Sequence, residues 1–121
     1  MFNELEYLEA GGEKFPLAFT INVMQEIQKK YGSINKLFDI SKTQEPDIGA
    51  IIFFLKEAIN EGIDIENEKN PEKRSFVSEK QVGRIITEIG LSECAKLIEK
   101  VISKSISENK NKIKNAKATK N

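Results

Sequence analysis

The chain has 121 residues, with 19 basic and 19 acidic side chains, one cysteine and no histidine. The lone Cys94 excludes an internal disulfide, and the missing histidine excludes any site that depends on imidazole, the commonest metal ligand and general base. There is no signal-peptide pattern and no apolar run of the roughly 20 residues that span a bilayer, so we expect a soluble, cytoplasmic protein of one domain.

The N-terminal region alternates apolar and polar residues, which is the pattern of a half-buried strand. Leu5 and Tyr7 alternate with glutamates, and a second alternating run contains Leu17. Gly11-Gly12 favours a turn between the two runs, so the region predicts a β-hairpin. Because a two-residue loop would put glutamates on the apolar face, we predict a three-residue loop at 11–13, with Tyr7 opposite Leu17 and both facing the helices.

Three helical segments are predicted next. The first begins after Thr20 and ends at Gly32, and a short second segment begins at Ser33. The third helix starts at Pro46 and ends at Gly62, because proline suits a first helical turn and glycine suits a helix end. One face of this third helix carries its apolar residues, Ile48, Ile51, Ile52, Leu55, Ala58 and Ile59.

Two further helices are predicted towards the C-terminus. Ser78 and Gln81 form a capping-box pattern that starts the fourth helix, which ends at Gly90. Gly83 lies inside this helix, where glycine costs about 1 kcal/mol relative to alanine, and close helix packing would justify it. Ser92 is the predicted N-cap of the fifth helix.

The charge is distributed unevenly along the chain. Residues 104–121 carry six lysines against Glu108, and the first 103 residues carry 13 basic and 18 acidic groups. We therefore predict an acidic folded domain at 1–106 and a disordered basic tail at 107–121. The predicted fold class is α+β: an N-terminal β-hairpin packed on a small cluster of four to five α-helices.

Residues 64–75 are rich in charge and are predicted to form an exposed loop. Asp64, Glu66 and Glu68 alternate there and superficially resemble a calcium-binding loop. The sixth position of such a loop needs glycine for its sharp turn, but it is Lys69 in this chain. The segment therefore favours a solvated loop over a metal site.

Cys94 is the remaining candidate for chemistry. A reactive thiolate needs a neighbouring base or a positive field, and the chain has no histidine to supply one. The cysteine also lies on the apolar side of the fifth helix, which favours a core position. We therefore expect no catalytic residue, no cofactor and no metal, and an enzyme is left only as a residual alternative.

Phe53 and Phe54 are candidates for a partner-binding surface. On a helical wheel Phe53 points roughly 170° away from the centre of the apolar face of the third helix, at 100° per residue, and Phe54 lies at its margin. Either the rest of the chain covers Phe53, so that the helix is buried on all sides, or Phe53 belongs to a surface that binds a partner. Both alternatives stay open at this point.

The predicted hairpin and the helix after it carry a motif. Residues 12–20 read GEKFPLAFT, residues 21–27 read INVMQEI, and Tyr31-Gly32-Ser33 follows. A later stretch, SEKQVGRII at 78–86 followed by Gly90-Leu91, completes the pattern. Over roughly residues 5–106 the chain resembles the tail assembly chaperones of siphophages, tailed prophages and gene transfer agents, which commonly open with such a hairpin and a helix closed by glycine.

The resemblance implies a protein without catalytic residues that acts in the cytoplasm of the bacterial host. Such chaperones coat the tape measure protein before tail-tube subunits polymerise around it. Contacts with the tail tube protein and self-association are left open by the resemblance. The alternatives are a structural, tube-associated tail component, and a small regulatory or nucleic-acid-binding protein that uses the basic tail. Nucleic acid is the less expected partner, because the tail has no arginine and no aromatic residue for stacking.

Overall fold

A computed structural model of the chain describes residues 5–33 and 47–104. It confirms the predicted α+β architecture, with a two-stranded hairpin followed by four helices in these ranges. The predicted short segment that begins at Ser33 and the predicted basic tail at 107–121 lie outside the described residues, apart from Ser33 itself. The elements in chain order are β1 (Glu6–Ala10), β2 (Glu13–Leu17), α1 (Ile21–Tyr31), α2 (Ile48–Lys69), α3 (Glu79–Ile89) and α4 (91–104).

The hairpin has a two-residue loop, so the predicted three-residue loop is wrong. Gly11 and Gly12 have φ angles of 59° and 79°, and positive φ at both central residues is what a type I′ turn requires. In the resulting register Glu6 lies opposite Leu17 and Tyr7 lies opposite Pro16. Because neighbouring residues of a strand point to opposite faces, Tyr7 and Leu17 do not share a face.

Leu8 is the residue that decides this register. It lies opposite Phe15, and both side chains are buried. Tyr7, which the predicted register pairs with Leu17 on the face towards the helices, is 51% exposed. The glutamate that shares the apolar face, Glu6, is tolerated because it stands at the open end of the strand, where its carboxylate lies 3.9 Å from the ammonium of Lys104.

Helix α2 is the longest element and forms the centre of the domain. It begins with a capping hydrogen bond in which the backbone N–H of Ala50 donates to the Asp47 carboxylate, 3.0 Å away. The helix continues to Lys69, so the predicted end at Gly62 is wrong. The loop predicted at 64–75 is helical at 64–69 and is a loop at 70–75. The apolar face extends one turn beyond Ile59 to Ile63, and both are fully buried, which explains why the helix continues.

Helices α3 and α4 correspond to the predicted fourth and fifth helices. The capping box is confirmed: the Gln81 backbone donates to the Ser78 hydroxyl, and the Ser78 backbone donates to the Gln81 side chain. Gly90 ends α3 with a φ of 102°. Helix α4 begins directly afterwards, and the Cys94 N–H donates to the Gly90 carbonyl at 3.1 Å. Ser92 therefore lies in the first turn of α4 rather than at its N-cap, which corrects that prediction.

The buried side chains form one continuous hydrophobic cluster to which every element contributes. Cys94 belongs to it and is fully buried, as predicted, and burial raises the pKa of its thiol, with a smaller contribution from Glu93. No helix within 5–33 and 47–104 has the length and apolarity to cross a bilayer. The least exposed side chains of the hydrophobic cluster include Phe19, Ile27, Phe54, Leu55, Ile59, Ile63, Val82, Ile98 and Ile102.

Candidate functional site

Phe54, one of the two predicted partner-binding residues, is a core residue. Its side chain is 1% exposed, and its ring centroid lies 5.4 Å from that of Phe19 with the planes tilted by 31°. Phe19 lies two residues after the end of β2, so the contact between the Phe19 and Phe54 rings holds the hairpin against α2. In this structure Phe54 has no surface to offer to a partner.

Phe53 lies between the two alternatives that the sequence left open. Its ring is half-buried against the C-terminal end of α1, where Tyr31 meets it edge-on with centroids 5.8 Å apart. The ammonium of Lys30 lies 4.5 Å from the centroid of the same ring, which is the distance of a cation–π contact. The chain therefore covers one side of Phe53, and a binding role for the other side stays a prediction.

The loop between α2 and α3 is fixed to α2 by two asparagines. The side-chain amide of Asn60 bonds both backbone groups of Val77, with its nitrogen donating to the carbonyl at 3.1 Å and its oxygen accepting from the N–H at 2.8 Å. Asn67, two helical turns further on, makes the same pair of bonds to Arg74, both at 2.9 Å. The loop thus runs back along α2 with a defined position.

Arg74 ties the same loop to the hairpin. Its guanidinium donates to the Lys14 carbonyl at 2.8 Å and to the Glu13 carboxylate at 2.7 Å. It also lies 4.8 Å from the centroid of the Phe15 ring. The contacts to β2 and α2 together restrain the loop from both sides.

This restraint matters for Phe76, the most exposed aromatic side chain of the described part of the chain. Phe76 is 57% exposed, although its neighbour Val77 is buried and doubly bonded to Asn60. An apolar ring held on a fixed backbone loses little conformational freedom when it binds, which favours a contact residue.

Phe76 lines an open groove between α1 and α2. The groove has a volume of about 370 Å³, and the described residues that line it include no lysine or arginine. Four of its lining residues are acidic, and we call it the acidic groove. It is lined by Asn22, Val23, Gln25 and Glu26 of α1, by Glu57, Asn60, Glu61 and Asp64 of α2, and by Phe76.

Glu61 is held in place at the base of the acidic groove. Its carboxylate accepts hydrogen bonds from the Thr20 hydroxyl and from the Asn22 amide, the latter at 3.1 Å. Thr20 occupies the N-cap position of α1 as predicted, but its hydroxyl makes no capping bond to the helix. The hydroxyl positions an acidic side chain of the groove instead.

Glu57 is the carboxyl group of the acidic groove whose charged form is disfavoured. Its pKa is raised above the ordinary value of 4.5, first by burial and then by the negative charge of Glu26, with Glu61 acting in the same direction. Lys56 and Lys30 oppose the shift but do not cancel it. A cation docked among these carboxylates would therefore be stabilised, since it would offset their mutual repulsion.

The lining residues of the acidic groove determine what it could bind. In the part of the chain that the structure describes, no group of three or more cysteine, histidine or acidic side chains is placed to hold a metal ion. Asp64, Glu66 and Glu68 form no such group, and they lie on α2 and not on a loop. What the groove offers is negative charge, amide groups and one fixed aromatic ring.

The sequence contains one signal for this site that the predictions missed. Glu57, Glu61 and Asp64 recur at intervals of four and three residues, the spacing that places side chains on one face of a helix. The signal was hidden because α2 was predicted to end at Gly62, which put Asp64 in a loop.

Comparisons of the chain with protein-family models, with curated proteins and with solved structures find no match.

Proposed function

We propose that this protein is a phage or prophage tail assembly chaperone, a non-enzymatic protein that binds the tape measure protein before the tail tube polymerises around it. The acidic groove is the proposed binding surface. The observation that carries this choice is an open groove that combines four carboxylates with a fixed, exposed aromatic ring.

The hairpin motif that resembles the chaperones has a structural role that supports the proposal. Pro16 packs directly on α2, Leu17 is 5% exposed, and Phe19 stacks on Phe54. Gly32 then ends α1 with a φ of 88°, which favours glycine. The residues of the hairpin motif thus join β2 to α2 and lead into α1, and α1 and α2 are the helices that line the acidic groove.

The shape and charge of the groove suit an amphipathic helix of the partner. Glu57 and Asp64 are seven residues apart on α2, which corresponds to about 10 Å, or two turns of a bound helix. Lysine or arginine side chains on such a helix would meet the carboxylates, and an apolar residue would meet Phe76. A long helical protein can repeat such contacts many times, and each contact is weak enough to be reversed when tube subunits arrive.

The test is co-expression with the tape measure protein of the same phage or prophage. We expect the two full-length proteins to co-purify, and we expect Glu57→Lys to reduce the yield of complex because it reverses a charge inside the groove. Glu99→Lys is the matched control, since Glu99 is also half-exposed but lies on α4, outside the groove. It should leave the yield unchanged.

Three results would contradict the proposal. The tape measure protein could fail to co-purify with the wild-type chain. The purified chain could assemble into tubes by itself, which would favour the structural tail component. It could also bind DNA with an affinity that falls steeply with added salt, which would favour the nucleic-acid-binding alternative.

A further inference from the structure

We propose that the basic C-terminal segment of this same chain, residues 105–121, docks in the acidic groove of its own folded domain when no partner is bound. This inference does not depend on the identity of the partner. In this arrangement the segment competes with a partner for the acidic groove, and it belongs to the same chain as the groove.

Charge complementarity selects this occupant. Residues 105–121 contain five lysines and one glutamate, whereas the described lining of the acidic groove has four carboxylates and no basic side chain. Burial, and then the negative charges of Glu26 and Glu61, raise the pKa of Glu57, so a nearby cation would favour its charged form. The segment supplies lysines at short intervals, at positions 110, 112, 114, 117 and 120.

Lys104, the last described residue before the segment, contacts β1: its ammonium lies 3.9 Å from the Glu6 carboxylate. The next residue of β1, Tyr7, points to the opposite face of the hairpin, where its hydroxyl donates to Glu66 of α2 at 2.8 Å. Glu66 is nine residues, or about 13 Å, from Glu57 along the same helix. Residues 105–121 span about 55–60 Å when fully extended, so length does not prevent them from reaching the groove.

The docking is expected to be weak and reversible. Exposed ion pairs contribute about 0–1 kcal/mol each, and the covalent tether compensates by giving the segment an effective concentration of about millimolar. The segment has no aromatic residue, and its large apolar side chains are Ile106 and Ile113. It therefore leaves Phe76 largely uncovered, and a partner helix that contacts both the carboxylates and Phe76 can displace it.

The experiment is paramagnetic relaxation in the full-length, ¹⁵N-labelled chain, with a nitroxide attached through Ala118→Cys. Cys94 is fully buried, so the label attaches at position 118 alone. At low salt we expect selective broadening of the side-chain amide signals of Asn22, Gln25 and Asn60, which line the groove. The broadening should disappear in about 1 M NaCl, where the Debye length is about 3 Å.

A pair of double variants separates the groove from general charge effects. Glu57→Gln with Asp64→Asn removes two groove carboxylates and should abolish the broadening. Glu88→Gln with Glu99→Gln removes two carboxylates outside the groove and should preserve it. The proposal is overturned if the groove amides are not broadened, or if both double variants behave alike. It is also overturned if a mixture of labelled and unlabelled chains shows that the broadening arises between molecules, which would make a second copy the occupant.

Discussion

Gly62 of α2 lies directly against Pro16 of β2. A Cβ atom at position 62 would be 2.7 Å from both the carbonyl carbon and the carbonyl oxygen of Pro16. One turn earlier on α2, the Ala18 N–H donates to the Ala58 carbonyl at 3.0 Å, so the segment after β2 is hydrogen-bonded to a helix. Glycine at position 62 is what allows a strand to approach a helix this closely.

Gly62→Ala is therefore expected to destabilise the protein. The added methyl group meets backbone atoms that cannot rotate away, and overpacking of this kind typically costs about 1–3 kcal/mol. The gain in helix propensity from glycine to alanine, about 1 kcal/mol, offsets part of that cost. Denaturant unfolding monitored by circular dichroism measures the net change. A variant that is more stable than the wild type would contradict the close approach of β2 to α2.

Gly83→Ala, in contrast to Gly62→Ala, is expected to stabilise the protein. Gly83 lies inside α3, and a Cβ atom there would meet nothing within 4 Å, so the close packing that we expected at this glycine is absent from the described residues. Alanine should stabilise the protein by about 0.4–1 kcal/mol, because it restricts the unfolded chain without a clash. The same unfolding experiment checks it, and a loss of stability would show that the space beside Gly83 is filled.

The neighbouring phenylalanines of α2 should respond differently to truncation. Phe54→Ala removes a ring that is 1% exposed, and buried phenylalanines cost about 3–5 kcal/mol when truncated. Phe53→Ala removes a half-buried ring with one edge-on contact to Tyr31, and we expect a loss of about 1–2 kcal/mol. Urea midpoints with unchanged m-values test the comparison. Equal losses would mean that Phe53 is as deeply covered as Phe54.

Glu57→Gln is expected to raise the melting temperature at pH 7. The pKa of Glu57 is higher in the folded chain than its ordinary value of 4.5. The protonated carboxyl therefore stabilises the folded chain fully below pH 4.5, and this stabilisation is lost as pH rises through the folded pKa. Glutamine carries no charge to desolvate, so its advantage should be present at pH 7 and should vanish near pH 4. Thermal melts at both pH values measure this. Glu88→Gln, an exposed change on α3, corrects for loss of one negative charge, and an advantage for Glu57→Gln that is equal at both pH values would contradict the prediction.

Elements whose signals are local could be predicted from the sequence. The start of α3 follows from Ser78 and Gln81, and its end follows from Gly90, because a capping box and a terminal glycine act within one helical turn. The same holds for α1, which lies between Thr20 and Gly32 as predicted.

The errors come from contacts between residues that are distant in sequence. The hairpin register could not be chosen correctly because Tyr7 and Leu8 are adjacent apolar residues, and either could face the core. The observed register places Glu6 on the apolar face. This is tolerated because the ammonium of Lys104, which is distant in sequence, lies 3.9 Å from the Glu6 carboxylate. Gly62 was interpreted as a helix end because its contact with Pro16 is not visible in a local pattern.

The acidic groove was missed for a related reason. Its carboxylates belong to two helices, and its aromatic ring belongs to a loop whose position depends on Asn60. A helical wheel of α2 alone directed attention to Phe53 and Phe54, which the structure places half-buried and in the core. The acidic groove forms where α1 packs against α2, and that packing is not visible in the pattern of either helix alone.

The central claim is that the acidic groove and Phe76 bind the tape measure protein, and the most direct measurement is the affinity of the purified, full-length proteins by titration calorimetry. Phe76→Ala should leave the unfolding free energy within about 0.5 kcal/mol, because the side chain is largely exposed. It should weaken binding by roughly 30-fold, which corresponds to the loss of an aromatic anchor worth about 2 kcal/mol. Tyr7→Ala removes a similarly exposed ring outside the groove and should leave the affinity unchanged. Equal affinities for the wild type and Phe76→Ala, or an equal loss for both variants, would contradict the account.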